Sequence, residues 1–283
     1  MAVLDEVTAL RYVMPLRAGG SVPGVVETDD LGTYVVKFTG AAQGRKALVA
    51  EVLVGELGRR LGLPVPRLVR VRFDPAVAAG EPDREIQDLL RSSAGLNLGM
   101  DLLPGARDWT PAELVPGPAE AGRIVWFDAL TGNVDRTWNS PNLMVWHGRL
   151  WLIDHGAALV FHHRWDRAPE HVAKRYPFTG HALGPYAPDV AAAGAELAPL
   201  VTADLLREVA ALVPDAWLAD EPGFASPAEL REAYVTHLAA RAARAAEWFP
   251  EDFATPEQLR RAEADRAAAT RAGRPAWLRH IPG

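Results

Sequence analysis

Residues 133–154 place two carboxylates and an amide at a spacing that suits a metal ion. The stretch reads NVDRTWNSPNLMVWHGRLWLID, with Asp135 in a polar loop and with Asn142 and Asp154 flanking an apolar run that turns at His147-Gly148. A hairpin over that run brings its two ends to one point. Amide and carboxylate oxygens suit Mg2+, which accepts few protein ligands, and Asp135 is left to accept or orient a hydroxyl proton during phosphoryl transfer. Taken singly, each of these side chains is more typical of a turn cap.

A second pair of candidate residues, Lys37 and Glu51, lies upstream. In the segment YVVKF, strand alternation puts Val35 and Lys37 on one face, so Lys37 must either reach solvent or meet an anion. Glu51, in the helical segment GRKALVAEVLVGELGRR, has no cation at its neighbouring helical positions, so it must also reach solvent or find a partner elsewhere. Lys37 on the adjacent strand is the natural partner. A strand lysine held by a helix glutamate presents its ammonium to nucleotide phosphates in kinases.

The segment Gly19-Gly20-Ser21 lies between the first two predicted strands. A glycine pair in that position is more often only a turn. At a strand tip upstream of Lys37 it has a second interpretation, because backbone amides and a serine hydroxyl can cover phosphate oxygens.

The elements that must position these residues change in character along the chain. Three strands are predicted over residues 9–38, followed by a helix that ends near Gly62, a strand RLVRVRF and a strand GLNLGMD that leaves through Pro104-Gly105. Residues 74–95 are rich in proline, glycine and charge, which predicts a loop or an irregular helix. We therefore expect an α+β fold with two lobes: a small β-rich N-lobe with one long helix (1–103) and a larger, mainly helical C-lobe (104–283).

The second half carries three helix-start signals of one form, a capping box with proline at the first helical position. They begin at Thr110, Ser226 and Thr255, and each predicts a helix. A further helix is predicted over residues 122–130, ahead of the hairpin that joins Asn142 to Asp154.

Composition excludes several classes of function. The chain has 283 residues, 49% of them hydrophobic, a net charge of -6 and no cysteine, so it should fold, without disulfides, thiolate nucleophiles or cysteine-bound zinc. Only three of its 30 basic residues are lysines, Lys37, Lys46 and Lys174, and no basic block favours direct nucleic-acid binding. The start lacks a signal-peptide pattern and no apolar run could span a membrane, which predicts a cytoplasmic protein with no membrane partner.

The histidines at 162, 163 and 171 lack HExxH spacing and are expected on the surface.

The order of these motifs resembles the HipA-like kinases over roughly residues 15–160. The resemblance rests on YVVKF, LVAEVLVGELGRRLGLPVP, GMDLLPG, NVDR with a later asparagine, and LIDHG. The phosphatidylinositol-kinase-like and aminoglycoside-phosphotransferase-like enzymes resemble the same arrangement of motifs more remotely. The resemblance implies a bilobal protein-kinase-like fold.

The resemblance also implies roles for individual residues. Asp135 corresponds to the catalytic aspartate, and Asn142 and Asp154 to the magnesium ligands. Asn139 is the other asparagine that could fill the first ligand position, because the family's asparagine follows the aspartate sooner. The implied nucleotide-binding residues are the ATP lysine Lys37, its partner Glu51, the adenine-contacting hinge Met100, Asp101 and Leu102, and the phosphate-covering loop Gly19, Gly20 and Ser21.

The activity implied by the resemblance is phosphoryl transfer that uses ATP and Mg2+. The expected acceptor is a Ser or Thr hydroxyl on a protein, with a small molecule as the alternative. Arg136-Thr137 stands where the family has a basic residue and a histidine. That difference leaves a non-catalytic nucleotide-binding module, a pseudokinase, as the alternative from another class.

Overall fold

The computed structural model describes residues 3–16 and 22–249 and seven single positions between 253 and 264. The predicted phosphate-covering loop, Gly19, Gly20 and Ser21, lies outside the described residues. Within these residues the chain is a mixed α+β protein whose N-terminal region is rich in strands.

Five strands of the N-terminal region close into a barrel in the order β1-β2-β3-β5-β4. The first three form the predicted antiparallel meander, and a parallel pairing of β1 with β4 closes the barrel. The strands are β1 (Glu6–Pro15), β2 (Gly24–Thr28), β3 (Thr33–Lys37), β4 (Leu68–Phe73) and β5 (Gly95–Asp101).

Alternation along β3 decides where Lys37 points. Tyr34, Val36 and Phe38 are at most 2% exposed and fill the barrel interior. Lys37 therefore lies on the outer face, where its side chain is still only 15% exposed. The predicted alternation is confirmed, and Lys37 points towards the helix that packs outside the barrel.

The helix α1 (Gly44–Arg60) packs against the outside of the barrel and is buried from Leu48 to Gly58. Two glycines permit this close packing: a β-carbon at Gly55 would lie 2.9 Å from Leu68, and one at Gly58 would lie 3.2 Å from Phe127. The helix ends before Gly62, whose φ of +77° is the left-handed geometry expected of a C-terminal glycine. Glu51 is thereby held in a buried turn of the helix.

The remaining elements are mostly helical. Residues 74–95, expected to be irregular, contain the regular helix α2 (Arg84–Ser92). A small sheet in the order β6-β7-β8 carries the predicted hairpin, whose turn residues His147 and Gly148 have φ of 49° and 71°, as a two-residue type I′ turn requires. These strands are β6 (Arg107–Asp108), β7 (Leu143–Trp146) and β8 (Arg149–Leu152). The helices are α3 (Pro118–Thr131), α4 (Ala168–His171), α5 (Val190–Leu197), α6 (Ala203–Ala210), α7 (Asp215–Leu218), α8 (Pro227–Ala243) and α9 (Ala245–Trp248).

The three helix-start signals have different outcomes. Ser226 starts α8 as predicted, and its hydroxyl accepts the amide of Glu229 at 3.2 Å. The prediction at Thr110 is wrong: only one turn forms there. Pro116 follows within two residues of that turn, and the residue before a proline is disfavoured in helical geometry. At Thr255 the reciprocal capping bonds with Gln258 are present, and the helix that would follow lies largely outside the described residues.

Among the residues that the structure describes, no helix has both the length and the apolar character needed to cross a membrane.

Candidate active site

Lys37 joins three separate elements of the fold. Its Nζ lies 2.5 Å from Glu51 Oε1 on α1 and 2.6 Å from Asp154 Oδ1, just past the end of β8. The Glu51 side chain is 3% exposed and that of Asp154 is 44% exposed. The predicted partnership of Lys37 with Glu51 is present, and Asp154 shares the same ammonium from a more open position.

The charges of the three groups depend on one another. Burial acts to lower the pKa of Lys37, but the carboxylates of Glu51 and Asp154 outweigh burial and raise it. Burial raises the pKa of Glu51, with the Lys37 charge acting against that rise. Burial also acts to raise the pKa of Asp154, yet the charge and hydrogen bond of Lys37 bring it below its usual range. Asp154 is therefore the carboxylate best stabilised as an anion.

Asp135 and Asn142 form the second half of the site. Asn142 donates from Nδ2 to Asp135 Oδ2 at 2.9 Å, and the Ser140 hydroxyl donates to Asn142 Oδ1 at 3.2 Å. The Asn142 carbonyl accepts the amide of Ile153, the residue before Asp154, at 3.1 Å. The hairpin therefore brings its two ends together as predicted. The backbone hydrogen bond between Ile153 and Asn142 links the Asp135–Asn142 pair to the residue next to Asp154.

The backbone at both hairpin ends is unusual. Asn142 and Asp154 have φ of 49° and 56°, in the left-handed region that asparagine and aspartate enter more readily than most residues. Asn139 lies instead on the exposed turn between Thr137 and Ser140. Of the two asparagines left open by the sequence, only Asn142 lies at the base of the hairpin with Asp154.

The oxygen atoms at the hairpin base are too few to hold a metal ion by protein ligands alone, and they fit a magnesium ion that keeps part of its water. Among the described residues, no three His, Asp or Glu side chains are grouped to hold a metal ion. Asp154 could supply one half-exposed carboxylate and Asn142 one amide oxygen. Such a short ligand set suits Mg2+, which keeps several waters and takes further oxygens from phosphate groups.

The predicted hinge residues lie where β5 leaves the barrel. Met100 pairs with Val35, and Asp101 pairs with Tyr34. The amide of Asp101 donates to the Arg67 carbonyl at 2.9 Å, and that of Leu102 donates to the Thr33 carbonyl at 3.0 Å. Both amides are therefore engaged inside the protein.

A buried network that the sequence did not predict supports the loop that carries Asp135. Arg136 Nε donates to Asp128 Oδ2 at 2.6 Å, and both side chains are 0% exposed. Arg136 Nη1 also donates to the Asn142 carbonyl at 2.5 Å, and His181 Nε2 lies 3.0 Å from Asp128 Oδ2. Burial acts to raise the pKa of Asp128, but Arg136 and His181 lower it. The sequence FDAL, residues 127–130, could have indicated this network, because a carboxylate inside an apolar helix needs a buried partner.

The segment Asp154-His155-Gly156 packs directly on α1. The His155 amide hydrogen-bonds to the Glu51 carboxylate, and a β-carbon at Gly156 would lie 3.1 Å from Glu51 Oε1. The His155 ring is 1% exposed and meets the edge of Phe127 at 6.4 Å between ring centroids. Burial, helped by the charge of Arg136, lowers the pKa of His155 to about 3, so the ring is neutral.

The expectation that all three later histidines lie on the surface is wrong for His162. Its ring is 0% exposed and its Nδ1 lies 3.0 Å from the Tyr234 hydroxyl. Tyr234 is distant in sequence, so no local pattern could reveal this burial.

Comparison with known proteins identifies the family of the chain. Residues 12–250 match the family model described as HipA-like kinase. A search of curated proteins finds no match. Among solved structures, the Helicobacter pylori proinflammatory kinase CtkA is similar in fold, with a TM-score of 0.50 and 13% sequence identity over 88% of this chain and 100% of that chain. The family match covers most of the sequence, and the chain belongs to the HipA-like kinase family.

Proposed function

We propose that this protein is a phosphotransferase that uses ATP and Mg2+ to phosphorylate a Ser or Thr hydroxyl on a protein acceptor. The observation that carries the proposal is the position of Lys37, which contacts both Glu51 and Asp154. A lysine held by a helix glutamate beside a metal-binding aspartate is the arrangement by which kinases position nucleotide phosphates. Family membership supports the same class of reaction.

Each site residue has one role in this proposal. Lys37 binds ATP phosphate oxygens, and Glu51 fixes the direction of its ammonium. Asp154 and Asn142 would hold Mg2+, which would offset phosphate charge. Asp135 orients the acceptor hydroxyl and takes up its proton as the hydroxyl oxygen bonds to the γ-phosphorus of ATP and the bond from that phosphorus to the leaving ADP breaks. Catalysis then consists of positioning and electrostatic stabilisation.

The hydrogen bonds of Asp135 agree with that role. Its Oδ2 accepts from Asn142, which fixes the carboxylate. No residue that the structure describes donates a hydrogen bond to Oδ1, so this oxygen can accept one from a substrate hydroxyl. A general base must lie within hydrogen-bond reach of the proton that it takes.

The nucleotide would lie between two lobes, residues 1–103 and 104–283. Lys37 and the hinge come from the barrel region, whereas Asp135, Asn142 and Asp154 come from the later one, and the barrel has its own apolar core. At the hinge residues Met100, Asp101 and Leu102, the amides of Asp101 and Leu102 are already engaged. Adenine would therefore meet the carbonyl groups of this segment or the amide of Leu103.

The test compares two lysines. We expect MgATP to raise the melting temperature of the wild type and of Lys46→Ala, and to have no effect on Lys37→Ala. Lys46 is a suitable control because its ammonium bonds Glu221 at 2.7 Å and the His162 carbonyl at 2.6 Å and makes no ion pair with Glu51 or Asp154 among the described contacts. A shift that survives Lys37→Ala and disappears in Lys46→Ala would contradict the assignment. A shift without phosphoryl transfer or ATP hydrolysis would identify a pseudokinase.

A further inference from the structure

A cavity of about 420 Å3 adjoins the segment that leads into Asp135. Gly132 and Val134, which precede Asp135 by three residues and by one, contribute to its wall, and Val134 is 46% exposed. Phe161, Lys174, His237 and Arg241 line other parts of it. The proposed phosphotransferase uses none of these side chains.

Arg241 places a buried positive charge at this cavity. Among the described residues its guanidinium donates hydrogen bonds to carbonyl oxygens and lies 4.9 Å from the centre of the Trp248 ring, and no carboxylate there pairs with it. Burial lowers the pKa of Arg241 to about 10, which leaves the group charged at neutral pH. A buried charge without a counter-ion favours the entry of an anion. The carbonyls belong to Ala129, Leu130, His171, Val172 and Lys174.

His237 supplies an unsatisfied hydrogen-bonding atom at the same cavity. The residue is 6% exposed, and its ring stacks on Phe161 with 3.5 Å between centroids. Its Nε2 is buried and has no hydrogen-bond partner in the described structure. Buried polar atoms in native proteins are nearly always paired with protein, water or ligand, so Nε2 retains the capacity for one hydrogen bond.

The rest of the wall specifies what kind of group fits. Leu130, Val134, Val160 and Phe161 give it an apolar surface, and exposed Lys174 adds a second cation. No Asp or Glu is found among the lining residues of the described chain. Because the whole chain carries a net charge of -6, this local positive character does not follow from composition.

We propose that this cavity, the acceptor pocket, binds the carboxylate or phosphate of an anionic side chain on the protein acceptor. The proposal rests on the proposed function, because it assumes that the acceptor hydroxyl meets Asp135. Three residues span at most about 11 Å, so an acidic residue within a few positions of the hydroxyl can reach the pocket. The protein then selects Ser or Thr sites flanked by Asp, Glu or a phosphorylated residue.

The test measures phosphorylation of a serine-centred peptide library by the wild type and three variants. Lys174→Glu reverses the exposed charge, and His237→Phe keeps an aromatic ring on Phe161 while removing Nε2. Arg84→Glu is the matched control, because it makes the same charge change at an exposed position on α2. We expect the wild type and Arg84→Glu to favour acidic over alanine peptides about tenfold, and the two pocket variants to lose most of that preference.

Phenylphosphate serves as a binding probe that does not depend on catalysis. Titration calorimetry should show weaker binding to Lys174→Glu and His237→Phe than to the wild type and Arg84→Glu. Peptide phosphorylation without an acidic preference, or a preference that survives in both pocket variants, would overturn the inference, as would probe binding that neither variant weakens. Probe binding that needs both residues, in a chain that transfers no phosphoryl group, would overturn the proposed function and leave the anion pocket supported.

Discussion

The guanidinium of Arg136 and the carboxylate of Asp128 form an ion pair from which solvent is excluded, with Nε 2.6 Å from Oδ2 and both side chains 0% exposed. The same guanidinium reaches the Asn142 carbonyl. The pair therefore connects α3, the loop that carries Asp135, and the first end of the hairpin.

Removing one member of this pair should be costly. Arg136→Leu leaves the Asp128 carboxylate buried without its cation, and breaking a buried pair in this way costs about 3–5 kcal/mol. The free energy of unfolding, measured by urea denaturation, should fall by that order. Arg207→Leu is the control, because Arg207 forms an exposed ion pair with Glu232 and its loss should change stability only slightly. A similar small loss in both variants would contradict the structural role of the pair.

Glu51→Gln should separate activity from stability. The amide keeps the size of the side chain but weakens its hold on Lys37, and it removes a carboxylate whose pKa burial has raised. We expect kcat/KM for ATP to fall about tenfold or more, equivalent to about 1.4 kcal/mol of transition-state stabilisation. The melting temperature should change little, because Lys37 keeps its contact with Asp154. Glu56→Gln, on the same helix beside Arg59, should retain activity; an equal loss there would show that the effect is not specific to Lys37.

Gly156→Ala should disturb the site through a single methyl group. The new β-carbon would lie 3.1 Å from Glu51 Oε1 and 3.5 Å from the Ala47 β-carbon, so the oxygen that bonds Lys37 must shift by a few tenths of an ångström. A weaker effect of MgATP on the melting temperature is expected. Gly180→Ala is the matched control, since a β-carbon there meets no atom within 4 Å. An unchanged MgATP effect in Gly156→Ala would show that the position of Glu51 is not limiting.

The stability of the protein should fall on mild acidification. Burial, with the charges of Arg241 and His171, lowers the pKa of His237 to about 3, whereas an unfolded histidine titrates near 6.5. The unfolded state therefore binds the proton first, and stability is lost as pH falls from about 6.5 towards 3. Between pH 6.5 and pH 5 one such group contributes about 2 kcal/mol of loss. Urea denaturation of His237→Phe should show a smaller loss over that interval, and an equal loss would contradict the assignment.

Local sequence patterns predicted much of the frame of the site. Period-two alternation placed Lys37 on the strand face opposite Val36, and the His147-Gly148 turn between apolar residues predicted the hairpin that joins Asn142 to Asp154. The signals behind these features span fewer than about 15 residues, the range over which backbone geometry and alternation act directly.

Long-range contacts account for what the sequence did not predict. His162 is buried next to Tyr234, and the acceptor pocket combines four chain segments around positions 130, 160, 175 and 240. A capping box at Thr110 failed because the nearby Pro116 prevents the helix from continuing. No periodicity encodes which distant segments meet, so such features require the folded structure.

Transfer of the γ-phosphoryl group of ATP, compared between the wild type and Asp135→Asn, tests the central claim most directly. The variant keeps the size of the side chain and leaves the contacts of Lys37 with Glu51 and Asp154 in place. We predict that MgATP still raises its melting temperature while the transfer rate falls by about 10²–10⁴-fold, the range for loss of a general base. Transfer by Asp135→Asn at the wild-type rate would contradict the account.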